Sequence, residues 1–359
     1  MHRRNFLTRS ATAGIAAAAT ASLTALTSTS STALAAPEAP LPVIKPKRLK
    51  AGDTVGLVAP ATAIFTDVEA DIARESLEAL GLKVVLGQHM RDRHGNLAGD
   101  DKMRADDINR FFADKNISAV IPVRGGWGSA RLLPYLDFET IKRNPKVLMG
   151  FSDITALHNS IQAKTGLSTF HGPNGGGRWD AWSLDFVKRM LFGAETVTLS
   201  NPKTMSERNA LTQIENRTRT ITPGKARGRI MGGNLTVLAA ILGSPFVPDY
   251  TGAIVFVEDV QEDLYRIDRM LTSLKLAGIL DKAKGVIFGT CSQCGPGNGN
   301  YGQLTMEEIL GDHFKPLGVP CWQGAMIGHD QPQWTLPFGQ EVEIDATAGT
   351  VTMLEPAVL

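Results

Sequence analysis

PKVLMGFSDITALHNSI, residues 145–161, reads as a buried strand, a one-residue corner and a helix. Ser152 stands at the corner, and two roles are open to it. A serine just before a helix commonly serves as the N-cap, its oxygen accepting an orphan backbone N–H. The alternative is a nucleophile held at the tip of a turn. The segment GFSDI agrees with the nucleophile elbow G-x-S-x-G at its first three positions, but Ile154 stands where the second glycine belongs. That departure argues against an α/β-hydrolase fold and leaves the elbow geometry itself untouched.

Upstream, TVGLVAPA reads as a buried strand, DVEADIARESLEALG as an amphipathic helix and LKVVLGQ as a short strand. A helix through DDKMRADDINRFFADK and the strand ISAVIPVR come next, and GGWGSARLLPYL opens a further helix. This alternation predicts a parallel α/β sheet with helices on both faces. It fades between Trp182 and Lys225, where the chain turns polar and irregular. Beyond lie RGRIMGGNLTVLAAILG, the strand AIVFVE, the helix YRIDRMLTSLKLAG and the strand KGVIFGT. A Gly-rich loop, a helix through TMEEILGDHF and extended segments around TLPFGQEVEIDATAGTVTML close the chain. The expected organisation is a leader over 1–35, a Pro-rich spacer over 36–48 and an N-terminal nucleophile domain over 49–190. A linker over 191–225 and a smaller β-rich C-terminal domain over 226–359 follow.

The leader is inferred from MHRRNFLTRS, an uncharged Ala/Thr/Ser-rich stretch and Ala33-Leu34-Ala35, which together read as a twin-arginine export signal with its cleavage site. Repeated Ser and Thr make the stretch a poor membrane span. Cleavage would remove Arg3, Arg4 and Arg9 from a balance of 37 basic against 36 acidic residues, leaving the mature chain slightly acidic. Nothing here supplies the basic stripe that nucleic-acid binding wants. No second apolar segment is long enough to span a bilayer, so the expectation is a mature protein with no stable membrane association. Three cysteines cannot build a disulfide framework. Cys291 and Cys294 have C-x-x-C spacing but lack a second pair, which disfavours structural zinc. A local disulfide or two loop thiols is the expectation, with Cys321 apart from them.

Active sites of open α/β sheets gather at the carboxyl ends of strands. Ser152 sits at one such end and Glu258 at another, closing the apolar run Ile254 to Val257. On its own, Glu258 reads rather as a solvated carboxylate opening an acidic loop, since Asp259, Glu262 and Asp263 follow closely. Among seven histidines, His329 lies in the loop QGAMIGHDQPQWTLPFG and His171 follows a strand in TFHGP; spacing does not choose between them. In VRGGWGSARLL, Gly125, Gly126 and Gly128 precede a helix, and their unshielded backbone N–H groups suit an anionic group or an oxyanion. G-G-x-G on a third strand does not fit the dinucleotide fingerprint.

VRGGWGSARLLPYLD, PKVLMGFSDITALH, TFHGP, MGGNLTVLAAILGSPFVPD, FVEDVQEDLYRIDRMLTSL and the Gly-His-Asp segment before LPFG occur in this order from about Leu49 onwards. Together they resemble the LD-carboxypeptidase family, the murein tetrapeptide carboxypeptidases, to which the microcin C self-immunity proteins also belong. Trp127 and Phe151 stand where that family usually has Tyr. The resemblance implies Ser152 as nucleophile, His329 as base and Glu258 as the triad carboxylate, and it gives His171 a structural role. It implies an N-terminal α/β domain like class I glutamine amidotransferases, a C-terminal domain supplying Glu and His, a homodimer, and no metal or organic cofactor. The implied substrate is the murein stem tetrapeptide, cut between the L-centre of its diamino acid and the terminal D-Ala. The backbone N–H of Asp153 and one from the Gly125-Gly126 turn are the oxyanion candidates. Arg124 is a candidate for reading a substrate carboxylate, alongside Gly125 and Trp127, and reads equally as a structural ion-pair partner. Two other readings are an immunity-type hydrolase of an acyl-sulfamoyl adenylate conjugate and an exported solute-binding protein without turnover.

Overall fold

The structure is a computed structural model that describes residues 41–202, 212–213, 215–297 and 304–359. The leader, with Arg3, Arg4 and the Ala33-Leu34-Ala35 site, lies outside the described residues. In the N-terminal half the elements are β1 (Thr54–Val58), α1 (Asp67–Glu78), β2 (Lys83–Leu86), α2 (Asp101–Ala113) and β3 (Ile117–Pro122). They continue with α3 (Phe138–Arg143), β4 (Val147–Gly150), α4 (Thr155–Thr165), β5 (Thr169–His171) and α5 (Ala181–Val187). The apolar runs become strands because both sheet faces are covered: β4 is buried throughout and β1 at all but its first residue. Helix α1 turns Ala70, Ala73 and Leu77 inward, one stripe at helical spacing, and places Asp67 and Glu69 in its first turn. Helix α4 ends at Gly166, which takes the left-handed conformation that stops a helix without a side-chain clash.

One expected helix is different. GGWGSARLLPYL forms a 3-10 run over Ser129–Tyr135, with Pro134 inside it. Proline has no N–H to give and its ring crowds the preceding turn, so an α-helix does not propagate there. The Gly loop therefore leads into a short 3-10 turn rather than into the dipole of a long helix.

Downstream come β6 (Thr198–Ser200), β7 (Arg219–Thr222), β8 (Lys225–Asn234), α6 (Leu235–Ile241), β9 (Ile254–Val260) and α7 (Leu264–Leu276). After them are β10 (Gly285–Ser292), α8 (Met306–Phe314), β11 (Cys321–Gln323), β12 (Leu336–Phe338), β13 (Glu341–Asp345) and β14 (Thr350–Met353). The protein is a mixed α/β fold with two sheets. The first has the order β12-β5-β4-β3-β1-β2, parallel from β5 to β2 with β12 antiparallel at its edge. The second has the order β6-β14-β13-β8-β9-β10-β11-β7, parallel in its centre from β8 to β11 and antiparallel outside it.

The stretch 191–225, read as a linker, contributes β6 and β7 to opposite edges of the second sheet. Conversely β12, from the C-terminal part, joins the first sheet beside β5, with Leu336 opposite His171. The end of the Pro-rich spacer is stitched down by backbone bonds: Ile44 pairs with Gly166 and Ser168, and Arg48 with Leu359. Pro40–Leu359 forms one compact unit. Where the two sheets meet, Phe338 of β12 lies edge-on to Phe256 of β9 and stacks on His158 of α4, centroids 6.3 and 5.7 Å apart. All three rings are fully buried. Cys291 and Cys294 form a local disulfide at the end of β10, while Cys321 is a buried thiol whose pKa burial pushes up to about 12. No helix among the described residues is long and apolar enough to cross a membrane.

Candidate active site

Ser152 follows β4 and extended Phe151, and adopts φ +66°, a left-handed conformation rare outside glycine. Such a backbone persists only where its surroundings hold it, at a cost of order 1–2 kcal/mol. Several bonds hold this one. The Phe151 N–H donates to Asn174 Oδ1 at 3.2 Å, and the Gly150 carbonyl accepts from the Gly172 N–H and from His158 Nε2, the latter at 2.8 Å. His158 Nδ1 in turn accepts from the Thr169 hydroxyl at 2.8 Å. Burial pulls the His158 pKa down to about 4, so the ring is a neutral bracket. On the far side of the corner, the Asp153 carboxylate accepts the Ser129 N–H at 2.7 Å, and its carbonyl accepts the Ser129 hydroxyl. The elbow is thereby tied to the Gly loop. Ser152 caps no helix: its Oγ bonds His329 Nε2 at 2.9 Å.

Glu258 emerges from β9 level with Asn234 of β8 and is wholly buried. Its neighbour Asp259 points the other way, accepting from Asn234 Nδ2 and from Thr236, as alternation along a strand requires. Glu258 Oε2 lies 2.9 Å from His329 Nδ1, and its Oε1 has no partner among the described residues. A carboxylate can only accept, so Nδ1 carries the proton of the neutral ring and Nε2 offers its lone pair to the Ser152 hydroxyl. Gly328, just before the histidine, has φ +117°, and a Cβ there would come within 2.7 Å of Glu258 Oε2. Only glycine lets this loop lie against the carboxylate. Burial by itself would lower the pKa of His329. The Glu258 hydrogen bond and the negative charges of Glu258, Asp259 and Asp330 outweigh it, holding the pKa above the ordinary histidine value.

The structure thus brings Ser152, His329 and Glu258 into one relay and leaves His171 outside it. His171 is buried behind Phe151, with neither ring nitrogen bonded among the described residues, and it packs edge-on to Phe256 at 5.1 Å. Burial and the neighbouring His158 and His329 drive its pKa well below the ordinary value, so it stays neutral.

Gly125 faces Ser152: a Cβ there would lie 3.0 Å from Ser152 Cβ, 3.1 Å from Oγ and 3.3 Å from the Asp153 nitrogen. Gly126 turns onto Thr62 at φ +116°, and the Trp127 N–H reaches the Thr62 hydroxyl at 3.4 Å. Trp127 itself is exposed, and Arg124 forms an ion pair with Glu69 at 3.3 Å. Phe151, the residue before Ser152, lines a cavity of about 310 Å³ together with Glu69, Ile72, Val123, Arg124 and Asn174. Sequence reasoning does not find Asn174 and His158, which fix the elbow. Asn174 has no signal beyond its place after TFHGP, and His158 resembles any other residue of a helix. No cluster of three or more potential metal ligands occurs among the described residues.

Residues 55–172 match the N-terminal domain of the LD-carboxypeptidases and residues 227–344 match their C-terminal domain. The chain belongs to the LD-carboxypeptidase family. Within that family it is 37% identical to the "Probable murein peptide carboxypeptidase" of Bacillus subtilis, over 88% of this chain and 95% of that protein. It is 30% identical to the microcin C7 self-immunity protein of Escherichia coli, over 86% of this chain and 94% of the other. Among solved structures, the apo microcin C7 self-immunity protein superimposes with a TM-score of 0.78 at 27% identity, covering 88% of this chain and 100% of its own. The muramoyltetrapeptide carboxypeptidase of Oxalobacter formigenes gives 0.70 at 27% identity, covering 84% and 99%. Membership of this family makes the chain a peptidase-family protein with murein-directed relatives.

Proposed function

We propose that this LD-carboxypeptidase family member is a serine peptidase that releases the terminal D-Ala from murein tetrapeptide stems through an acyl-enzyme. The observation that carries the reading is the Ser152–His329–Glu258 relay, both links 2.9 Å long, with the serine at a strained corner and the histidine's pKa raised.

The chemistry follows from the atoms. Ser152 Oγ attacks the carbonyl joining the L-centre of the diamino acid to D-Ala, while its proton passes to His329 Nε2. Nδ1–H keeps donating to Glu258, whose charge stabilises the imidazolium. The carbonyl oxygen becomes an oxyanion, for which the N–H groups of Asp153 and Gly126 are the proposed donors. Losing one such donor typically costs about a hundred- to a thousandfold in rate. As the C–N bond breaks, Nε2–H protonates the departing D-Ala amine and leaves an ester on Ser152. Water then gives a proton to the same Nε2, attacks the ester, and returns Oγ–H to the serine with the tripeptide carboxylate as product.

The Arg3-Arg4 leader supports export by the twin-arginine route, to the periplasm where the host has an outer membrane, and family resemblance supports a homodimer. The immunity-type reading uses the same relay and is favoured by the likeness to the microcin C7 self-immunity protein. Mass spectrometry of purified tetrapeptide before and after incubation separates the two. Loss of one alanine by wild-type enzyme, absent in Ser152→Ala, supports the peptidase. An intact tetrapeptide alongside hydrolysis of an aminoacyl-sulfamoyl nucleoside overturns it in favour of the immunity-type hydrolase.

A further inference from the structure

Asn201 stands directly after β6, one edge of the second sheet, and its side chain is buried. Its Nδ2 donates to two carbonyls, those of Asn216 and Gly324, both at 2.7 Å, and its Oδ1 accepts the Met326 N–H at 3.1 Å. Two accepting partners and one donating partner fix which end of the amide is nitrogen. Asn216 lies just before β7, the opposite edge of the same sheet. In β7 the Thr220 hydroxyl donates to the Ala346 carbonyl, past the end of β13, at 2.8 Å. The sheet therefore curls until its two edges face each other, and Asn201 is tied across the seam.

The remaining bonds of Asn201 fall on the chain that leads to His329. Thr290 holds the Ile327 carbonyl through its N–H and its hydroxyl, at 3.0 and 2.9 Å. Both bonds end on one oxygen, so this contact is a pivot and leaves open the direction in which the loop departs from it. Asn201 grips the chain at two points ahead of the pivot, and the Trp334 N–H takes the Met326 carbonyl at 2.7 Å. With that arm fixed, the direction of the other arm, which carries Gly328 and His329, is fixed as well. The ring must meet Ser152 Oγ and Glu258 Oε2 at once, each at 2.9 Å, and a small rotation about Ile327 would break one link or the other.

We infer that Asn201 is a positioning residue for His329: it holds residues 324–326 so that the imidazole reaches Ser152 and Glu258 together. The inference rests on the proposed reading in which His329 is the base, and deepens it by placing part of the relay's support at the edge strand β6. The ring is faced by Glu258 and Asp259 of β9, by Asp330 of its own loop and by neutral His171 of β5. Drawing it away from Glu258 removes the main influence that keeps it protonatable above the ordinary histidine range.

The test compares Asn201→Ala with Thr220→Val, which removes the Thr220–Ala346 bond of the same seam and leaves residues 324–326 with all their bonds. Two quantities are measured where circular dichroism shows each variant folded. One is kcat and KM for D-Ala release from the tetrapeptide; the other is the pKa of His329 by 15N NMR, its resonance assigned through His329→Gln. Asn201→Ala should lower kcat by about ten- to a hundredfold, the scale of a misplacement of about 1 Å, and keep KM within about twofold. It should also lower the pKa of His329. Thr220→Val should lower Tm and leave kcat and the titration as in the wild type. Asn201→Ser keeps one donor and should fall between; it is judged by the same criteria if the alanine variant does not fold. Wild-type kcat and an unmoved His329 titration in a folded Asn201 variant overturn the inference. Equal losses in Thr220→Val also overturn it, making Asn201 a bond of the seam alone. A wild-type enzyme that releases no D-Ala sinks the peptidase reading, and the His329 titration then decides the positioning role by itself.

Discussion

Glu258→Gln isolates what charge does in the relay. Glutamine keeps the length of the side chain and an oxygen for the His329 Nδ1–H, and takes away only the charge. Glu258 is fully buried and its Oε2 sits 2.9 Å from Nδ1. In the resting enzyme a neutral ring loses little. In the proposed transition state, with the Ser152 proton on Nε2, the imidazolium loses its counter-charge. Two unit charges with centres about 4 Å apart interact by about 4 kcal/mol at an effective dielectric of about 20. That corresponds to about a thousandfold in kcat/KM. The same change reverses the balance on the ring. Burial, the largest influence, lowers its pKa, and the bond and charge of Glu258 are the main forces raising it. As the base must be neutral, wild-type kcat/KM should fall as pH drops through a limb lying above 6.5, and the limb of the variant should fall below that value. D-Ala release measured from pH 5 to 10 reads both effects, and thermal unfolding confirms that the variant is folded. A loss under tenfold with an unmoved acid limb would refute the idea that Glu258 acts on the imidazolium.

Ser152→Gly and Ser152→Ala should both be inactive, but the glycine variant should be the more stable by roughly 0.5–1 kcal/mol, one or two degrees in Tm, because alanine retains the cost of φ +66°. Equal or inverted stabilities in calorimetry would mean the corner is not strained. Gly328→Ala puts a methyl 2.7 Å from Glu258 Oε2 at φ +117° and should lower kcat/KM at least tenfold in a folded protein; full activity would show that the loop need not lie so close. Replacing Arg3-Arg4 with Lys-Lys should trap uncleaved precursor in the cytoplasm. Wild-type protein found in the cytosol with its N-terminus intact would end the export proposal.

What can be read from the sequence depends on whether a role is local. Ser152 is legible because strand, corner and helix are consecutive, whereas the apolar run before Glu258 marks a strand lip without telling a buried carboxylate from a solvated one, and only the family resemblance gives it a role. His171 and His329 are not separable by spacing: one ends a strand and the other lies in a glycine-flanked loop, and either place can serve a site. Strand pairing is what separates them: β12 lies beside β5 with Leu336 opposite His171, burying that ring. The 3-10 run at Ser129–Tyr135 is open to prediction from Pro134 alone. Strands β6 and β7 leave little trace, because short edge strands with mostly exposed residues lack the apolar alternation that marks a strand. Asn174 and His158 act on backbone groups of the elbow, and the side-chain pattern of a sequence does not register which carbonyl or N–H a distant residue will meet.

The path of residues 321–338 explains why the relay depends on the whole fold. The chain leaves the second sheet at β11, and Gly324 donates to the Phe288 carbonyl of β10. The Ile327 carbonyl accepts from the Thr290 N–H and hydroxyl, which fixes the loop against β10 one residue before Gly328. His329 follows, and within a few residues the chain enters the first sheet as β12. The histidine thus sits on the crossing between two sheets, one carrying Glu258 and the other Ser152. Its placement is set at both ends, by β10 pairing behind it and by β12 pairing with β5 ahead of it. The Phe338–Phe256 contact is the apolar joint of the same crossing. A truncation at this joint, such as Phe338→Ala, typically costs about 3–5 kcal/mol in a buried core. Here it should also loosen the His329–Ser152 link though it touches neither residue, so kcat should fall at temperatures where the variant is still folded. Unchanged kcat in a destabilised but folded variant would show that the loop holds its geometry from the β10 side alone.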